Sequence, residues 1–566
     1  MSLFSSLQLA TNALHAQSIG LQVVGQNIAN VNTPGYSRAT TVFTPAPTQR
    51  VGSLLLGLGV EVDSIKQIVD EHLNSRLRAA TADRVGGEVQ ENAYGQLEGI
   101  INELQDNDLS TSLNNFLGSI SQVLNQPESV SVRNLAVLQG KTLAGDINRL
   151  ATRAGEVRDD LNSQIADLEP DVNRLLQRVA DLNVKIATTE GGGSLGSDAV
   201  GLRDQRNDAL QKLSELIDIK TQEQSSGAVN VYAGGDFLIF EGTFRHVETV
   251  HTQENGLNVA KLQIQETDAP LTASTGKLAG LIDARDNIVA GFMKNLDSFA
   301  KTLSFEFNKV FSSGQGLSGY TSLTAENVPN NADAPLDAAG LSNIPVNGTF
   351  NIVVHNKQTD LTKTTQIRVD LNGLDGDDLT LNKLVDQLNA VDGVSASLDA
   401  RGRLVLKSSS PNSEFAFGDD TSGVLASLGI NTFFTGSTAS DLGVSSVMTS
   451  DPSKFAASRS GIDGDTQNAV SLAGFANRLL DSADGKSISD IYDQLVSGVT
   501  QGSAVAKSVA TGFRTFETTL QGQQLAVSGV NLDEEAVSMM SYQRAFQASA
   551  KFISTINDLL ELLTQI

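Results

Sequence analysis

The sequence predicts a mainly helical protein with inserted β domains and with coiled-coil helices at its two ends. Three observations lead to this fold class: apolar residues at helical spacing at both ends, the same spacing through long middle segments, and one central stretch of alternating strands. The chain has 566 residues, enough for several domains at roughly 150 residues each. Hydrophobic residues make up 40% of it, which is enough to build sizeable cores.

The N-terminal segment 3–31 has one apolar helical face and no charged residue. No Asp, Glu, Lys or Arg occurs before Arg38. Steps of three and four residues place the apolar side chains on one side of a helix. These residues are Leu3, Leu7, Ala10, Leu14, Leu21, Val24, Ile28 and Val31. Such a helix is poorly stable alone, because nothing in the segment covers its apolar face.

The C-terminal segment shows the same spacing up to the last turn of the chain. Asp533, Glu534 and Glu535 stand where the dipole at a helix N-terminus favours negative charge. The apolar row comprises Leu532, Ala536, Met539, Gln543, Phe546, Ala550, Ile553, Ile556, Leu560 and Leu563. We expect the two terminal helices to pair with each other or with neighbouring subunits. Packing of both on a central globular body fits the periodicity equally well.

The segment after the first helix has the composition of a helix terminator. It reads Ala29-Asn30-Val31-Asn32-Thr33-Pro34-Gly35-Tyr36-Ser37-Arg38. Thr33 precedes a proline, which disfavours the helical conformation, and Gly35 accepts a positive φ. The segment resembles the ANxNTPGY signature of the rod, hook and hook-associated proteins of the bacterial flagellum. Residues 529–535 and 542–550 resemble the C-terminal helix of the same family.

This resemblance implies that the terminal helices form the inner coiled-coil layer of a tubular filament. Residues 201–210 and 277–286 resemble internal segments of the hook-associated members, with Asn207 at a position where the family pattern has Asp. The implied function is that of a non-enzymatic structural subunit at the hook–filament junction, needed for filament assembly. The expected assembly residues are Leu7, Leu14, Leu21, Val24, Ile28, Asn30, Asn32, Pro34, Gly35, Tyr36, Leu532, Phe546, Ile553 and Leu560.

The resemblance also implies a location and a set of partners. The chain is expected in the extracellular flagellum, exported through the flagellar secretion channel without a cleaved signal peptide. The expected partners are identical subunits in a ring or tube, hook protein, hook-associated protein 3, and a cytoplasmic export chaperone at the C-terminal helix. Three alternatives stay open: another axial protein such as a hook or hook-cap subunit, an exported cell-wall hydrolase, and an adhesin.

Composition argues against several other classes of protein. The formal net charge of −25 disfavours binding to nucleic acid or to anionic membranes. No window approaches 18 continuous apolar residues, so no membrane insertion is expected. The chain has no Cys, which excludes disulfides and thiolate metal sites.

Several short segments match the sequence patterns of enzyme motifs but lack the structural context that those motifs need. Residues 314–319 fit G-x-G-x-x-G but follow a predicted helix rather than a strand. Residues 140–142, Gly-Lys-Thr, lack the first glycine of a phosphate loop and are expected at a helix C-cap or turn. Residues 192–196 fit G-x-S-x-G between two helices, where a flexible loop is expected. His246 and His251 lack acidic neighbours in a metal-ligand pattern. We therefore expect no catalytic residue, cofactor or metal.

The middle of the chain completes a nested plan of three parts. Residues 1–66 with 521–566 are the expected terminal axial helices. Residues 67–325 with 450–520 are expected to form an elongated helical bundle carrying a small β patch at about 226–266. Residues 326–449 are expected to form an outer β-rich insertion, because Asn, Asp, Gly and Ser become frequent and strands alternate there.

Long apolar rows define the helices of the expected bundle. One row runs from Leu161 to Ile186, with Pro170 expected to interrupt it. Another helix is expected from about Leu278 to Phe311. In the β patch, Gly234-Gly235 is expected to form a hairpin turn, with Val259, Leu262 and Ile264 continuing the same patch. In the insertion, strands are expected near 350–354, 366–370 and 403–406, with a helix at 379–388.

Overall fold

The chain forms two units, and each is built from stretches that are separated in the sequence. The computed structural model describes residues 3–51, 54–102, 108–191, 197–254, 257–374 and 376–564. Unit 1 comprises residues 1–93, 159–287 and 504–566, and unit 2 comprises residues 94–158 and 288–503. The chain thus passes from unit 1 to unit 2 and back twice. The three-part division expected from the sequence stays a proposal beside this grouping.

Helices dominate the described residues, and the mainly helical fold class is confirmed. The α-helices are α1 Leu3–Ala29, α2 Glu71–Asn102, α3 Leu109–Asn125, α4 Val130–Ala166, α5 Leu168–Thr189, α6 Val200–Leu216, α7 Gly276–Asp283, α8 Ala290–Ser312, α9 Leu381–Asn389, α10 Val424–Leu428, α11 Ser446–Ser450, α12 Gln467–Ala473, α13 Ile488–Ser528 and α14 Leu532–Thr564. None of the described helices is long and apolar enough to cross a bilayer.

The strands form small antiparallel sheets of two to four strands. They are β1 Ala39–Pro45, β2 Thr48–Val51, β3 Leu54–Gly57, β4 Val60–Gln67, β5 Lys220–Glu223, β6 Val229–Ala233, β7 Asp236–Phe240, β8 Thr243–Phe244, β9 Val247–Glu254, β10 Leu257–Ile264, β11 Ala269–Pro270, β12 Ser322–Thr324, β13 Gly348–Asn356, β14 Leu361–Val369, β15 Val394–Leu398, β16 Leu404–Ser408, β17 Ser413–Gly418, β18 Phe434–Thr435 and β19 Gly443–Val444.

The apolar row from Leu161 to Ile186 is divided between α4 and α5, as the proline predicts. α4 ends at Ala166 and α5 begins at Leu168. Pro170 lies in the first turn of α5, where a helix has no use for the missing N–H. The row itself is buried throughout, so the sequence identified the core face correctly.

The long helix expected at 278–311 is present but contains a π-helical segment. Residues Ala284–Val289 join α7 to α8 with this wider turn. Arg285 within it is 2% exposed and donates from Nη1 to the Ala260 carbonyl oxygen at 2.8 Å and to Asn162 Oδ1 at 2.9 Å. The apolar spacing alone could not indicate this extra residue in the turn.

The β patch consists of two sheets, so the prediction of one continuous patch is wrong. The hairpin at Gly234-Gly235 is present, with φ of +59° and +99°. Its sheet has the order β5-β6-β7-β8, whereas the residues at 259–264 lie in a separate sheet of order β11-β10-β9. β9 and β10 pair with each other over eight residues, which satisfies their backbone groups without the first sheet.

The β-rich part of unit 2 contains the strands and helix expected there, as β13, β14, β16 and α9, together with further strands. β15 and β17 were not predicted, and they complete sheets of order β12-β16-β15 and β14-β13-β17. Asn389 at the end of α9 bonds through its side-chain amide to both the N–H and the carbonyl oxygen of Ala396, at 2.8 and 2.9 Å. β12, at 322–324, pairs with β16, so this sheet includes residues before position 326.

Unit 2 also has an aromatic core that composition did not suggest. Seven phenylalanines from α3, α8 and the segment 433–475 are buried together: Phe116, Phe307, Phe311, Phe433, Phe434, Phe455 and Phe475. Gly140 faces this cluster, and a Cβ there would lie 2.5 Å from the Phe433 ring.

Of the three short segments that match enzyme sequence patterns, two lie in the described residues. Gly140 is inside α4, so the expectation of a helix C-cap or turn at 140–142 is wrong, because close packing rather than chain reversal requires the glycine. Residues 314–319 follow α8, so the prediction that a helix precedes them is confirmed, and the Gln315 N–H donates to the Ser458 carbonyl oxygen at 2.8 Å. Residues 192–196 lie outside the described residues.

Candidate assembly site at the paired chain ends

A β-ribbon that was not predicted follows the first helix. β1 pairs with β4 from Ala39 to Gln67, and β2 pairs with β3 farther along the same ribbon. The ribbon contacts α1, where Asn12 Nδ2 donates to the Leu58 carbonyl oxygen at 3.0 Å. At Gly59, whose φ is +94°, a Cβ would lie only 3.1 Å from the Leu9 carbonyl oxygen. Part of α1 is therefore covered by its own chain.

The helices from the two chain ends, α1 and α14, pack along each other. They are in close contact at Gly20, where a Cβ would lie 3.0 Å from Tyr542 Cζ. The Tyr542 ring lies 6.1 Å from the ring of Phe43 in β1. The apolar residues that α1 buries most deeply are short: Ala10, Ala16, Val23 and Val24. Short side chains allow the two backbones to approach closely.

The predicted apolar rows are on this helix pair, but one chain covers them incompletely. Val24 is buried, whereas Leu7, Leu14, Leu21 and Ile28, spaced by seven residues, are half-buried. On α14, Phe546, Ile553 and Leu560 are half-buried and Leu532 is 51% exposed. The side chain of Leu563 lies outside the described residues. A coiled-coil row with a period of seven thus remains available for further contacts.

The signature segment forms a compact turn after α1. Asn30 Nδ2 donates to the Gln26 carbonyl oxygen at 2.9 Å, and the Thr33 N–H donates to the Asn30 carbonyl oxygen at 2.9 Å. The Tyr36 N–H then donates to the Thr33 carbonyl oxygen at 3.2 Å. Gly35 has a φ of +77°, as the helix-terminator interpretation predicts. Asn32, Pro34 and Gly35 are exposed, while Asn30 and Tyr36 are half-buried.

Asn27, which the sequence analysis missed, joins three elements at the end of α1. Its Nδ2 donates to the Ala39 carbonyl oxygen at 2.9 Å and to Glu535 Oε2 at 3.1 Å. Its Oδ1 accepts from the Tyr36 hydroxyl at 2.9 Å and from the Ala39 N–H at 3.1 Å. Asn27 is 1% exposed, so all of its polar atoms are satisfied away from water. One side chain thereby connects α1, β1 and α14.

Arg38 holds the start of α14 against the same turn. Its Nε donates to Glu535 Oε1 at 2.7 Å and its Nη1 to Glu534 Oε2 at 2.8 Å. Its backbone N–H donates to the Ser528 carbonyl oxygen at the end of α13, at 2.9 Å. The acidic first turn of α14, expected from the helix dipole alone, therefore has a specific cationic partner.

Two ionisable groups beside this turn have pKa values raised by burial. The Asp204 carboxyl of α6 accepts from the Ser37 N–H at 3.2 Å and from Gln67 Nε2 at 2.8 Å. Burial raises the pKa of Asp204 to about 6 despite these hydrogen bonds. Burial, followed by the charges of Asp204 and Glu535, raises the pKa of Tyr36 to about 12. Tyr36 therefore stays a neutral donor to Asn27 throughout the physiological range.

The turn, the ribbon and both terminal helices thus form one connected site, which is held together by hydrogen bonds, ion pairs and apolar contacts. Of the predicted assembly residues, the structure places those of the signature at the turn and those of the rows along the helix pair. Asn27, Arg38, Glu535 and Asp204 were missed. A signal was present for Asn27, since a polar residue four positions after Val23 interrupts the buried face of α1. Among the described residues, no group of three His, Cys, Asp or Glu side chains is arranged to hold a metal ion.

Three family models match this chain, including both of its ends. Residues 94–324 match the flagellar hook-associated protein FlgK helical domain. Residues 7–36 match the flagella basal body rod protein, and residues 521–566 match the flagellar basal body rod FlgEFG protein C-terminal model. The chain belongs to the flagellar hook-associated protein 1 family.

Curated relatives and a solved structure agree with this family. Flagellar hook-associated protein 1 of Salmonella typhimurium is 24% identical over 584 aligned residues, which span 99% of this chain and 100% of that protein. Flagellar hook-associated protein 1 of Bacillus subtilis is 28% identical over 352 residues, which span 56% of this chain and 69% of that protein. The flagellar hook junction protein FlgK from Burkholderia pseudomallei has a similar fold, with a TM-score of 0.53 and 13% identity over 80% of this chain and 100% of that one.

Family membership confirms the functional class predicted from the sequence. The chain is a structural protein of the bacterial flagellum and not an enzyme. It assembles into the axial structure together with other flagellar proteins. The matches do not favour the alternatives of a hook or hook-cap subunit, an exported hydrolase or an adhesin.

Proposed function

We propose that this chain forms the junction between the flagellar hook and the filament, with α1 and α14 built into the axial tube. One observation carries this proposal. Helices from opposite chain ends lie together as a pair, and the apolar side chains that recur every seven residues along them are only partly buried. In a tube of such pairs, neighbouring copies cover the remaining side of each row. Burial of apolar surface then drives assembly at roughly 25 cal/mol per Å² removed from water.

The proposed partners follow from a position between two kinds of tube. Identical copies form the ring or tube itself, hook protein lies on one side, and hook-associated protein 3 lies on the other. Before assembly, a cytoplasmic export chaperone covers α14, whose exposed apolar side chains include Leu532, Val537, Met540 and Phe552. Export proceeds through the flagellar secretion channel.

We also infer that the chain ends become more rigid on assembly. Residues 1–40 and about 520–566 are expected to exchange amide hydrogens faster in dilute monomer than in the assembled tube, since assembly covers their apolar rows. Hydrogen–deuterium exchange on both forms tests this expectation. Strong protection of both ends in dilute monomer would contradict it.

A substitution in the α14 row tests the assembly site directly. Leu560→Asp puts a charge into the half-buried row and is expected to abolish incorporation into the hook–filament junction while unit 2 still folds. Gln547→Asp is a matched control, because it adds the same charge at an exposed position of α14. Incorporation is measured by labelling the chain on isolated hook–filament structures. Normal incorporation of Leu560→Asp would remove α14 from the site.

A strain without this chain tests the function itself. The hook is expected to remain and filament protein to be released into the medium, because nothing connects the two tubes. Electron microscopy of the hooks and measurement of filament protein in the medium provide the readout. Cells that retain full filaments would refute the junction function.

A further inference from the structure

A small cavity in unit 1, away from the chain ends, is lined by two buried arginines. The cavity measures about 260 Å³ and lies among α2, α6, β5 and β6. Arg78 of α2 is 5% exposed and Arg206 of α6 is 2% exposed. Side chains on its outer side, such as those of Glu71 and His72, are exposed, so the cavity is open to solvent.

The protein itself satisfies these two guanidinium groups only in part. Arg78 Nη2 donates to Thr221 Oγ1 at 2.8 Å. Arg206 Nη1 donates to the Gly227 carbonyl oxygen and, at 3.3 Å, to Asn183 Oδ1. Arg206 Nε is buried and has no hydrogen-bond partner among the described residues. Within those residues, no carboxylate oxygen lies within 4.0 Å of a nitrogen of either arginine.

Two of the nearby acidic side chains, Glu190 and Glu223, are paired with a third arginine, while the exposed Glu71 in the cavity lining acts on both buried arginines only through its charge. Arg203 Nε donates to Glu190 Oε1 at 2.7 Å, and its Nη1 donates to Glu223 Oε1 at 2.7 Å. The hydrogen bond to Glu190 raises the pKa of Arg203 above its ordinary value. Burial instead lowers the pKa of Arg206 to about 10 and also lowers that of Arg78. Two of the three arginines therefore carry a desolvated charge without a directly paired carboxylate, an arrangement that is costly for the folded state.

We propose that this cavity binds an oxyanion, either a carboxylate or a phosphate, between Arg78 and Arg206. A guanidinium group presents parallel N–H donors that match two oxygens of such a group. The cavity is large enough for one anion of this size, since a water molecule occupies about 30 Å³. Because the chain carries a net charge of −25, a site that attracts an anion here depends on local arrangement rather than on overall charge. This proposal does not depend on the junction function.

Calorimetric titration of the full-length chain tests the proposal. Inorganic phosphate and acetate are titrated separately, with sodium chloride at the same ionic strength as the reference. One-site, saturable binding of at least one of the two anions is expected. Acetate binding would indicate that a carboxylate can occupy the site, and binding of phosphate alone would indicate a phosphate ligand. Saturable binding of neither anion would overturn the proposal.

Variants on α2 locate the site. Arg78→Gln is expected to weaken anion binding by about tenfold or more, because one charged donor group is lost. Arg76→Gln removes an exposed arginine two residues away and is expected to leave binding unchanged. Circular dichroism verifies folding, and Arg78→Lys, which keeps the charge but loses the fork, is a second variant with weaker binding expected. Binding that is unaffected by both changes at Arg78 would place the anion elsewhere and refute the assignment.

Discussion

At the scale of single residues, the site depends on a few polar side chains held away from water. Asn27 of α1 satisfies donors and acceptors of the turn, β1 and α14 at once, and the half-buried Arg38 joins the turn to both Glu534 and Glu535. Buried polar groups contribute this specificity only while every partner is present, since an unpaired one costs its full desolvation energy. Loss of one such side chain is therefore expected to loosen the start of α14.

Replacing Asn27 tests this role. Asn27→Leu keeps the size of the side chain but removes the hydrogen bonds that Asn27 makes to the Ala39 backbone, the Tyr36 hydroxyl and Glu535 Oε2. The local opening free energy of the α1–α14 contact is expected to fall by about 2 kcal/mol, or roughly thirty-fold in amide exchange. Hydrogen–deuterium exchange of peptides from the first turns of α14 measures it. Asn32→Ala, at an exposed position of the turn, is the control, and equal exchange in both variants would refute the role of Asn27.

Asp204 gives the same region a dependence on pH. Burial raises its pKa from an ordinary value of 3.8 to about 6, so the folded chain retains a proton that the unfolded chain has lost. The stabilisation from this group is present in full below pH 3.8 and is lost as pH rises through about 6. Relative to wild type, Asp204→Asn is therefore expected to gain stability as pH rises through this window.

Thermal unfolding at a series of pH values measures this gain. Asp208→Asn on the same helix is the control, because Asp208 pairs with Lys212 near the surface. A stability difference between wild type and Asp204→Asn that does not change between pH 4 and pH 7 would show that Asp204 titrates normally.

At the scale of elements, the pairing of α1 with α14 depends on small residues rather than on the leucines. Gly20 allows the Tyr542 ring to approach α1, whereas the leucines spaced by seven residues lie on a partly open side. We therefore propose different tasks for the two sets of residues: the small ones determine contact within one chain, and the large ones make contacts between chains.

Two glycines of α1 provide a matched test of this division. Gly20→Leu is expected to separate α14 from α1, because even a Cβ at this position meets Tyr542 at 3.0 Å. Gly25→Leu adds the same side chain at a position with no neighbouring atom within 4 Å, and helix propensity is expected to make it neutral or slightly stabilising. Crosslinking between cysteines introduced into α1 and α14 reports the separation. Retained crosslinking in Gly20→Leu would show that the pair does not need the close approach.

At the scale of the whole molecule, the net charge is expected to oppose the assembly that we propose for the apolar rows. Each copy carries a net charge of −25, so neighbouring copies repel one another at low ionic strength. Raising salt from about 20 to about 200 mM shortens the Debye length to below about 10 Å and is expected to promote self-association of the purified chain. Light scattering at constant protein concentration measures it. Weaker association at the higher salt would mean that ion pairs between copies outweigh the repulsion.

Apolar spacing along the sequence predicts single elements of the two units, but it does not predict which distant segments pack together. Helical spacing correctly identified the buried row from Leu161 to Ile186 and the long helix before Phe311, because periodicity is a local property of the sequence. It did not reveal that Phe433 and Phe116, more than 300 positions apart, belong to one core. It also did not separate the sheet containing β10 from the sheet containing β6, since strand pairing depends on distant partners.

The sequence by itself determined the helical class, the apolar rows at both ends, the turn at Gly35 and, through the family signature, the structural function. These properties depend on local spacing, backbone preference and composition. Only the tertiary structure decided that Asn27, Arg38 and Glu535 meet, that Gly20 lies against Tyr542, and that Arg78 and Arg206 share one cavity. Each of these contacts joins residues far apart in the chain, and no local preference encodes which distant partner a polar or small residue meets.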